Sequence, residues 1–179
     1  PERGYTATTV DAISNLADVP TPTVYRLFGS KLGILKALLD ADIAGDDEPV
    51  AVQDRPAIAR LFAESDATTL LAAFAGITSA INQRTNAVYW ILVSAADSDP
   101  AAAELLDDLQ QQRDRGQGQI AHALVRAGSL GVDLQEDDAI DLIHALMSPE
   151  LYRLLVTDRH WKPERYQYWL ATSLIQQLT

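Results

Sequence analysis

Residues 4–35 read GYTATTVDAISNLADVPTPTVYRLFGSKLGIL, and this stretch decides the fold of the N-terminal part of the chain. Apolar side chains recur in it at spacings of three and four, which predicts helices rather than strands. Thr8 and Asp11 are three residues apart, a spacing that resembles a capping box. The first helix is therefore predicted to begin at Thr8. It is predicted to end near residue 17, because Asp18 tolerates the left-handed backbone conformation that closes many helices.

Two more short helices follow in the same stretch. Thr21 is predicted to cap a helix over about 22–28, with a proline at its first position. Gly29 is predicted to end this helix, and Ser30 to cap a third helix that continues to about residue 44. Three short helices therefore occupy the first quarter of the chain.

The predicted helix over 22–28 has the composition of a helix that reads DNA. It carries few charges and many hydroxyl and aromatic side chains, and it follows the previous helix after a tight turn, as in a helix-turn-helix. The spacing of Val24, Leu27 and Phe28 predicts that these side chains form the core of the module. The pattern favours DNA binding, although ordinary helical bundles contain similar helix pairs.

Downstream of residue 45 the apolar spacing again predicts helices. An acidic stretch with two prolines over residues 45–56 is the predicted linker. The predicted fold class is therefore all-α, with a helix-turn-helix domain over 1–45 and a larger helical domain over 46–179. The helices of the larger domain are predicted near 57–64, 68–84, 87–96, 100–127, 136–147, 149–158 and 163–178.

Composition excludes several functional classes. The 179 residues include no cysteine, which excludes disulfide scaffolds, cysteine-ligated zinc, iron–sulfur clusters and thiol catalysis. The net charge is −11, but residues 1–40 contain four basic and four acidic side chains, so the acidic excess lies downstream. A neutral N-terminal module on an acidic body is compatible with a local DNA contact. No apolar run is long enough to span a bilayer, so the protein is predicted to be cytoplasmic, without a membrane partner.

Three segments carry a resemblance to a known family: GYTATTV at 4–10, ISNLADV at 13–19 and TVYRLFGSK at 23–31. Together with Leu35, they closely resemble the DNA-binding segment of TetR-family transcriptional regulators, over about residues 4–44. The resemblance implies a homodimer that binds double-stranded DNA at a palindromic operator, represses transcription and is released by a small-molecule effector. It assigns effector binding and dimerisation to the larger helical domain.

The sequence departs from the family pattern in three places. The family has a further helix before the Gly4-Tyr5 start, so we expect the first helix of the domain to be missing from this sequence. Asp18 stands where a glycine usually forms the turn. Pro20 stands where a small hydroxyl residue usually caps the recognition helix, and Thr21 is expected to take over that capping role.

Five side chains are predicted to contact DNA. The hydroxyl groups of Thr21, Thr23 and Tyr25 are suited to phosphates, and Lys31 adds a positive charge beside a helix N-terminus that favours anions. Thr21 and Arg26 are also the best placed of these residues to contact bases. For Tyr25 the alternative is a half-buried side chain that stabilises the module.

An effector pocket is implied by the resemblance, but the family has no shared pocket motif that would transfer individual residues. Aromatic area and polar groups coincide on neighbouring predicted helices, where a small and largely apolar effector is predicted to bind. The alternative is that the aromatic side chains only form the core. The predicted effector-binding residues are Phe74, Tyr89, Trp90, His122, His144 and Met147.

The last two predicted helical segments, over about 136–158 and 163–178, are expected to pair with a second subunit. Trp169, Leu170, Leu174 and Ile175 lie in a stretch that is too apolar for a wholly solvated terminal helix. These four residues are the predicted dimer interface. The alternative is that they only close the core of one subunit.

An enzyme would need a catalytic cluster, and the strongest candidate is Asp137, Asp141 and His144, which share one helical face. Acidic residues near a helix start commonly complement its dipole, and no glycine-rich phosphate loop or nucleophile elbow is present. The sequence therefore favours a regulator with no catalytic residues, no metal and no cofactor. The alternative is an all-α enzyme or small-molecule-binding protein with a vestigial helical module.

Overall fold

A computed structural model describes residues 4–45, 55–63 and 66–179, and every regular element in these ranges is helical. The all-α prediction is confirmed: a helix-turn-helix at the N-terminus precedes a larger helical region. The elements are α1 (Gly4–Ala7), α2 (Val10–Ala17), α3 (Thr21–Phe28), α4 (Lys31–Ala44), α5 (Pro56–Phe62), α6 (Ala67–Ala96), α7 (Pro100–Ala127), α8 (Glu136–Leu146), α9 (Pro149–Tyr152), a π-helical segment (Arg153–Asp158) and α10 (Pro163–Leu178).

Helix α2 begins one residue later than predicted. Thr9 is its N-cap, and the Thr9 hydroxyl accepts a hydrogen bond from the Ala12 N–H at 3.1 Å. Thr8 instead donates its hydroxyl to the Gly4 carbonyl at 2.8 Å, so the predicted Thr8 cap is wrong. The predicted helix end is confirmed, because Asp18 has a φ of 54° and its N–H continues the backbone hydrogen bonding.

The boundaries of α3 and α4 follow from the residues between them. Gly29 ends α3 with a φ of 71°, and the Ser30 hydroxyl caps α4 by accepting from the Gly33 N–H at 3.0 Å, as predicted. At the other end of α3, Pro20 occupies the cap position and makes no side-chain hydrogen bond. Thr21 is the first residue of the helix, so the prediction that Thr21 caps it is wrong.

The long helix α6 replaces the two helices that were predicted over 68–84 and 87–96. The helix continues through residues 85 and 86, and the Thr85 hydroxyl donates to the Ile81 carbonyl within it at 2.9 Å. The helix predicted over 100–127 is confirmed as α7, and the last helix as α10. Most of the predicted linker, residues 46–54, lies outside the described residues.

Two buried apolar clusters hold the helices together. The body core lies between α6, α7, α8 and α10, and contains Leu71, Leu124, Ile143 and Leu174. The junction core joins α4 to the C-terminal half of α6 and the N-terminal half of α7. Its buried members are Leu35, Leu39, Tyr89, Leu92, Ala95 and Ala102, and Tyr5 of α1 packs against them. The helix-turn-helix is therefore fixed to the body through apolar burial.

Two of the four predicted dimer-interface residues belong to the core of a single chain. Leu170 and Leu174 are fully buried, together with Tyr166 and Leu178 at the same four-residue spacing. The prediction that Leu170 and Leu174 form an interface is therefore wrong. Trp169 and Ile175 are only partly buried at the edge of this core.

Alkaline pH should destabilise the protein through Tyr166. Burial raises the pKa of the Tyr166 hydroxyl from 10.0 to about 12. Between these values the unfolded chain loses this proton and the folded chain retains it, so the free energy of unfolding should fall by about 2 kcal/mol as the pH rises. Urea unfolding at the two ends of this pH interval measures the fall in the free energy of unfolding.

The variant Tyr166→Phe should show a smaller alkaline loss than the wild type. Tyr168→Phe is the matched control, because Tyr168 lies on the same helix and is 76% exposed. Equal alkaline losses in Tyr166→Phe and the wild type would contradict this prediction.

Candidate DNA-binding module and ligand cavity

The recognition helix α3 is fixed to α2 by a side-chain hydrogen bond as well as by apolar burial. Thr21 Oγ1 donates to Asp11 Oδ1 at 2.9 Å. Val10 and Ser14 of α2 and Val24 of α3 are the buried residues of the pair. The angle between the two helices is therefore set by one polar contact and a small core. The predicted DNA contact of Thr21 stays a prediction, and here its hydroxyl proton is used within the module.

The outer face of α3 carries the other side chains predicted to read DNA. Arg26 follows the buried Val24 by two residues, which places it on the opposite side of the helix, and it is exposed. Tyr25 is half exposed and Thr23 is partly buried. The side chains of Arg26 and Tyr25 are thus accessible to a partner as large as a DNA duplex.

Leu27 and Phe28 do not form the core that their spacing predicted. Leu27 is 64% exposed and Phe28 is 39% exposed, so the prediction is wrong for both. The physical reason is that α3 is only two turns long and contacts α2 and α4 through one narrow face. Only Val24 lies at the centre of that face.

Lys31 holds α1 against the start of α4. Its Nζ donates to the Tyr5 carbonyl at 2.7 Å and to the Thr8 carbonyl at 2.9 Å, and it lies 4.0 Å from the centre of the Tyr5 ring. Burial and the nearby Asp99 carboxylate raise the pKa of Tyr5. The phosphate contact of Lys31 stays a prediction, since two of its three donors serve the protein.

Arg84 of α6 caps the C-terminal end of α4. Its Nε donates to the Asp42 carbonyl at 2.7 Å, and its Nη2 donates to the Ile43 carbonyl at 3.1 Å. These carbonyls have no partner within the helix, so the guanidinium satisfies them and complements the helix dipole. Gly45 closes the helix with a φ of 72°, and a Cβ at this position would lie 2.8 Å from the Arg84 guanidinium.

A cavity of about 250 Å³ lies between α4, α5, α6 and α7. Leu39 and Ile43 of α4 contribute to its wall, so the last helix of the module lines the cavity directly. Three of the six predicted effector-binding residues, Phe74, Tyr89 and Met147, line it. The other wall residues that matter chemically are Phe62, Thr78, Asn82, Thr85, Gln112, Arg113, Gln117 and Ile120.

Trp90, His122 and His144 do not line the cavity, and their role in effector binding stays a prediction. Trp90 packs edge-on against Tyr89 and lies beneath the Arg153 guanidinium at 4.3 Å. His122 is exposed on α7 and pairs with Glu136. The prediction that these residues are helical is correct, but apolar spacing does not determine the direction in which each side chain points.

His144 forms a chain of contacts behind the cavity wall. Its Nδ1 lies 2.7 Å from Asp114 Oδ1, and its Nε2 lies 2.8 Å from Arg113 Nη2. Asp137 and Asp141 are exposed on α8 and are not the partners of His144 in these contacts. Within residues 4–45, 55–63 and 66–179, no group of three histidine or acidic side chains is arranged to hold a metal ion.

Polar side chains on the inner faces of α6 and α7 are the cavity residues that the sequence analysis missed. Asn82 and Thr85 lie on α6, and Arg113 and Gln117 lie on α7. The available signal was their spacing of three or four residues, on helix faces that otherwise carry apolar side chains. Such residues are buried only when a cavity or a polar partner lies next to them.

Comparisons with known proteins bear on the N-terminal module. Residues 1–38 match the family model of bacterial regulatory proteins of the tetR family. Neither the curated proteins nor the solved structures contain a match to this chain. In the part of the chain that the structure describes, no helix is long and apolar enough to cross a membrane.

Removal of the Arg84 cap should loosen the end of α4. Arg84→Met loses both hydrogen bonds to the Asp42 and Ile43 carbonyls, so the free energy of unfolding should fall by about 1–2 kcal/mol. Amide hydrogen exchange in the last turn of α4 should become faster, while exchange in α3 stays unchanged. Arg115→Met, an exposed position on α7, is the control, and unchanged exchange at the end of α4 would refute the capping role.

Proposed function

We propose that this chain, a DNA-binding transcriptional regulator of the TetR family, is a homodimeric repressor that leaves its operator when a small molecule binds its body. The observation that carries the proposal is the shared position of α4. This helix belongs to the DNA-binding module and also contributes Leu39 and Ile43 to the wall of the cavity. A ligand in the cavity therefore touches the module without an intermediate element.

The DNA contact is assigned to the outer face of α3. A single module of this size makes too few contacts for selective binding, so two copies related by a two-fold axis are proposed to read a palindromic operator. Tyr25 and Thr23 bind phosphates and position the helix, while Arg26 reads base edges. We place this activity in the cytoplasm, where the DNA of a bacterial cell lies.

Release is proposed to follow from a shift of α4. The junction core and the Arg84 cap hold α4 in one position against α6. A ligand that fits the cavity better in a second arrangement of α4 changes the spacing of the two recognition helices. DNA and ligand then weaken each other's binding by the same factor, because the coupling between two sites is reciprocal.

The dimer interface is proposed on the outer face of α10. Tyr168 and Ile175 lie seven residues apart, two helical turns, on the side opposite the buried Leu170. Tyr168 is largely exposed and Ile175 is half-buried, so both have area left for a partner. Trp169 lies at the edge of this face, with its ring tilted by 41° against that of Tyr166 at 5.9 Å between ring centres.

Substitutions in α3 should separate base reading from phosphate binding. Arg26→Ala should relax the base preference at one operator position, at a cost of about 1–3 kcal/mol for the preferred sequence. Tyr25→Phe should weaken binding to all DNA sequences equally, because a phosphate contact carries no base information. Gel-shift titrations on a library of upstream DNA fragments measure both effects, at more than one salt concentration.

The control for these titrations is Arg126→Ala, which removes the same side chain from an exposed position at the far end of α7. A changed base preference in Tyr25→Phe, with unchanged affinity, would contradict the assigned roles. If the wild-type protein shifts no upstream fragment at low salt, the proposal of an operator-binding repressor fails.

A charge on the outer face of α10 should separate the subunits. Tyr168→Glu and Ile175→Glu should give monomers that keep their helical circular dichroism, because neither side chain lies in the centre of the core. Gln177→Glu adds the same charge on another face of the helix and should leave the dimer intact. Light scattering after size exclusion measures the mass, and an intact dimer in both outer-face variants would place the interface elsewhere.

A further inference from the structure

Arg113 is the cationic side chain of α7 in the cavity wall, and one of its hydrogen-bond donors is unused among the described residues. The side chain is 21% exposed, so most of it is removed from water. Its Nε is buried, and no group among the described residues accepts a hydrogen bond from it. A buried N–H donor that is left unused is costly unless an acceptor is supplied.

The contacts of Arg113 with the other described residues are made by its two Nη atoms and leave Nε without an acceptor. Its closest polar neighbour is His144 Nε2, at 2.8 Å from Nη2. A guanidinium only donates, so this imidazole nitrogen accepts, and the proton of the neutral ring sits on Nδ1 and is donated to Asp114. The nearest carboxylate, that of Glu150, is 3.9 Å from Nη1 and is itself half exposed.

The surroundings of Arg113 define the rest of a ligand. Gln117 lies one turn further along α7 and is a buried polar residue of the same wall. The remainder of the wall is mainly apolar, with Phe62, Phe74 and Ile120 among its members. The volume of about 250 Å³ exceeds the roughly 150 Å³ that holds a benzene molecule in an engineered protein cavity.

We infer that the effector is a monocarboxylate with an apolar body of about six to ten carbon atoms, whose carboxylate pairs with Arg113. The inference rests on the proposed function, which makes the cavity an effector site. The apolar body lies in the cavity between α4 and α6. The carboxylate accepts a hydrogen bond from the Nε–H of Arg113, which has no other acceptor among the described residues. His144 positions the guanidinium from behind, supported by Asp114.

Matched probes that differ only in their polar group test the inference. Hexanoate, octanoate and decanoate are compared with the corresponding primary alcohols and amines by isothermal titration calorimetry at neutral pH. At least one carboxylate should bind about tenfold more tightly than its alcohol, because a charge-assisted hydrogen bond is stronger than a neutral one. The amines should bind most weakly. If no carboxylate binds, or if the alcohols bind equally well, the inference is overturned.

Variants locate the preference at Arg113. Arg113→Met should abolish the advantage of the carboxylate and leave the affinity for the alcohol unchanged. Arg115→Met is the matched control, because Arg115 is an exposed arginine two residues further along α7 and lies outside the cavity wall. Arg113→Lys keeps the charge and should keep part of the preference, which keeps the test decisive if the methionine variant fails to fold. An unchanged preference in Arg113→Met overturns the assignment.

Gel-shift titrations with the same probes separate this inference from the proposed function. If a carboxylate binds through Arg113 but leaves DNA affinity unchanged, the proposed release fails and the ligand class is upheld. If the alcohols bind and lower DNA affinity while the carboxylates do not, the proposed release is upheld and the ligand class is overturned.

Discussion

Burial of α4 against the two long helices is the constraint on which the rest of the structure depends. By sequence α4 is the last helix of the DNA-binding module, but Leu35 and Leu39 are buried in the junction core with Leu92 of α6. The short helices α2 and α3 bury little apolar area of their own. Their orientation relative to the body therefore depends on the position of α4. Burial of α4 therefore joins the module to the body.

Local chemistry explains which parts of the fold the sequence could predict. Gly29 and Ser30 fix the turn between α3 and α4 through a positive φ and a side-chain cap, and Asp99 with Pro100 starts α7. The break predicted between residues 84 and 87 is wrong, because α6 is continuous there. Arg84 donates a hydrogen bond to a carbonyl at the C-terminal end of α4, a tertiary contact that no local sequence pattern reveals.

Only those residues of the candidate sites that follow the apolar periodicity of a helix could be predicted from the sequence. Aromatic and apolar residues such as Phe74 and Tyr89 were found, because the inner faces of amphipathic helices can be identified from spacing. Arg113 was missed because a charged residue is expected on the outer face. Leu174 was misassigned because an apolar stripe looks the same whether it packs against its own chain or against a second subunit.

The hydrogen bonds from Arg84 that hold the C-terminal end of α4 have energies that ligand binding is able to overcome. Coupling between a ligand site and a second site typically amounts to 1–3 kcal/mol. The two hydrogen bonds from Arg84 to the end of α4 contribute about 1 kcal/mol each, which is the same scale. The junction core is too large to be broken at that cost. A ligand in the cavity is therefore expected to displace the C-terminal end of α4, near Ile43, while Leu35 stays buried, so that α4 pivots about the junction core and carries α3 with it.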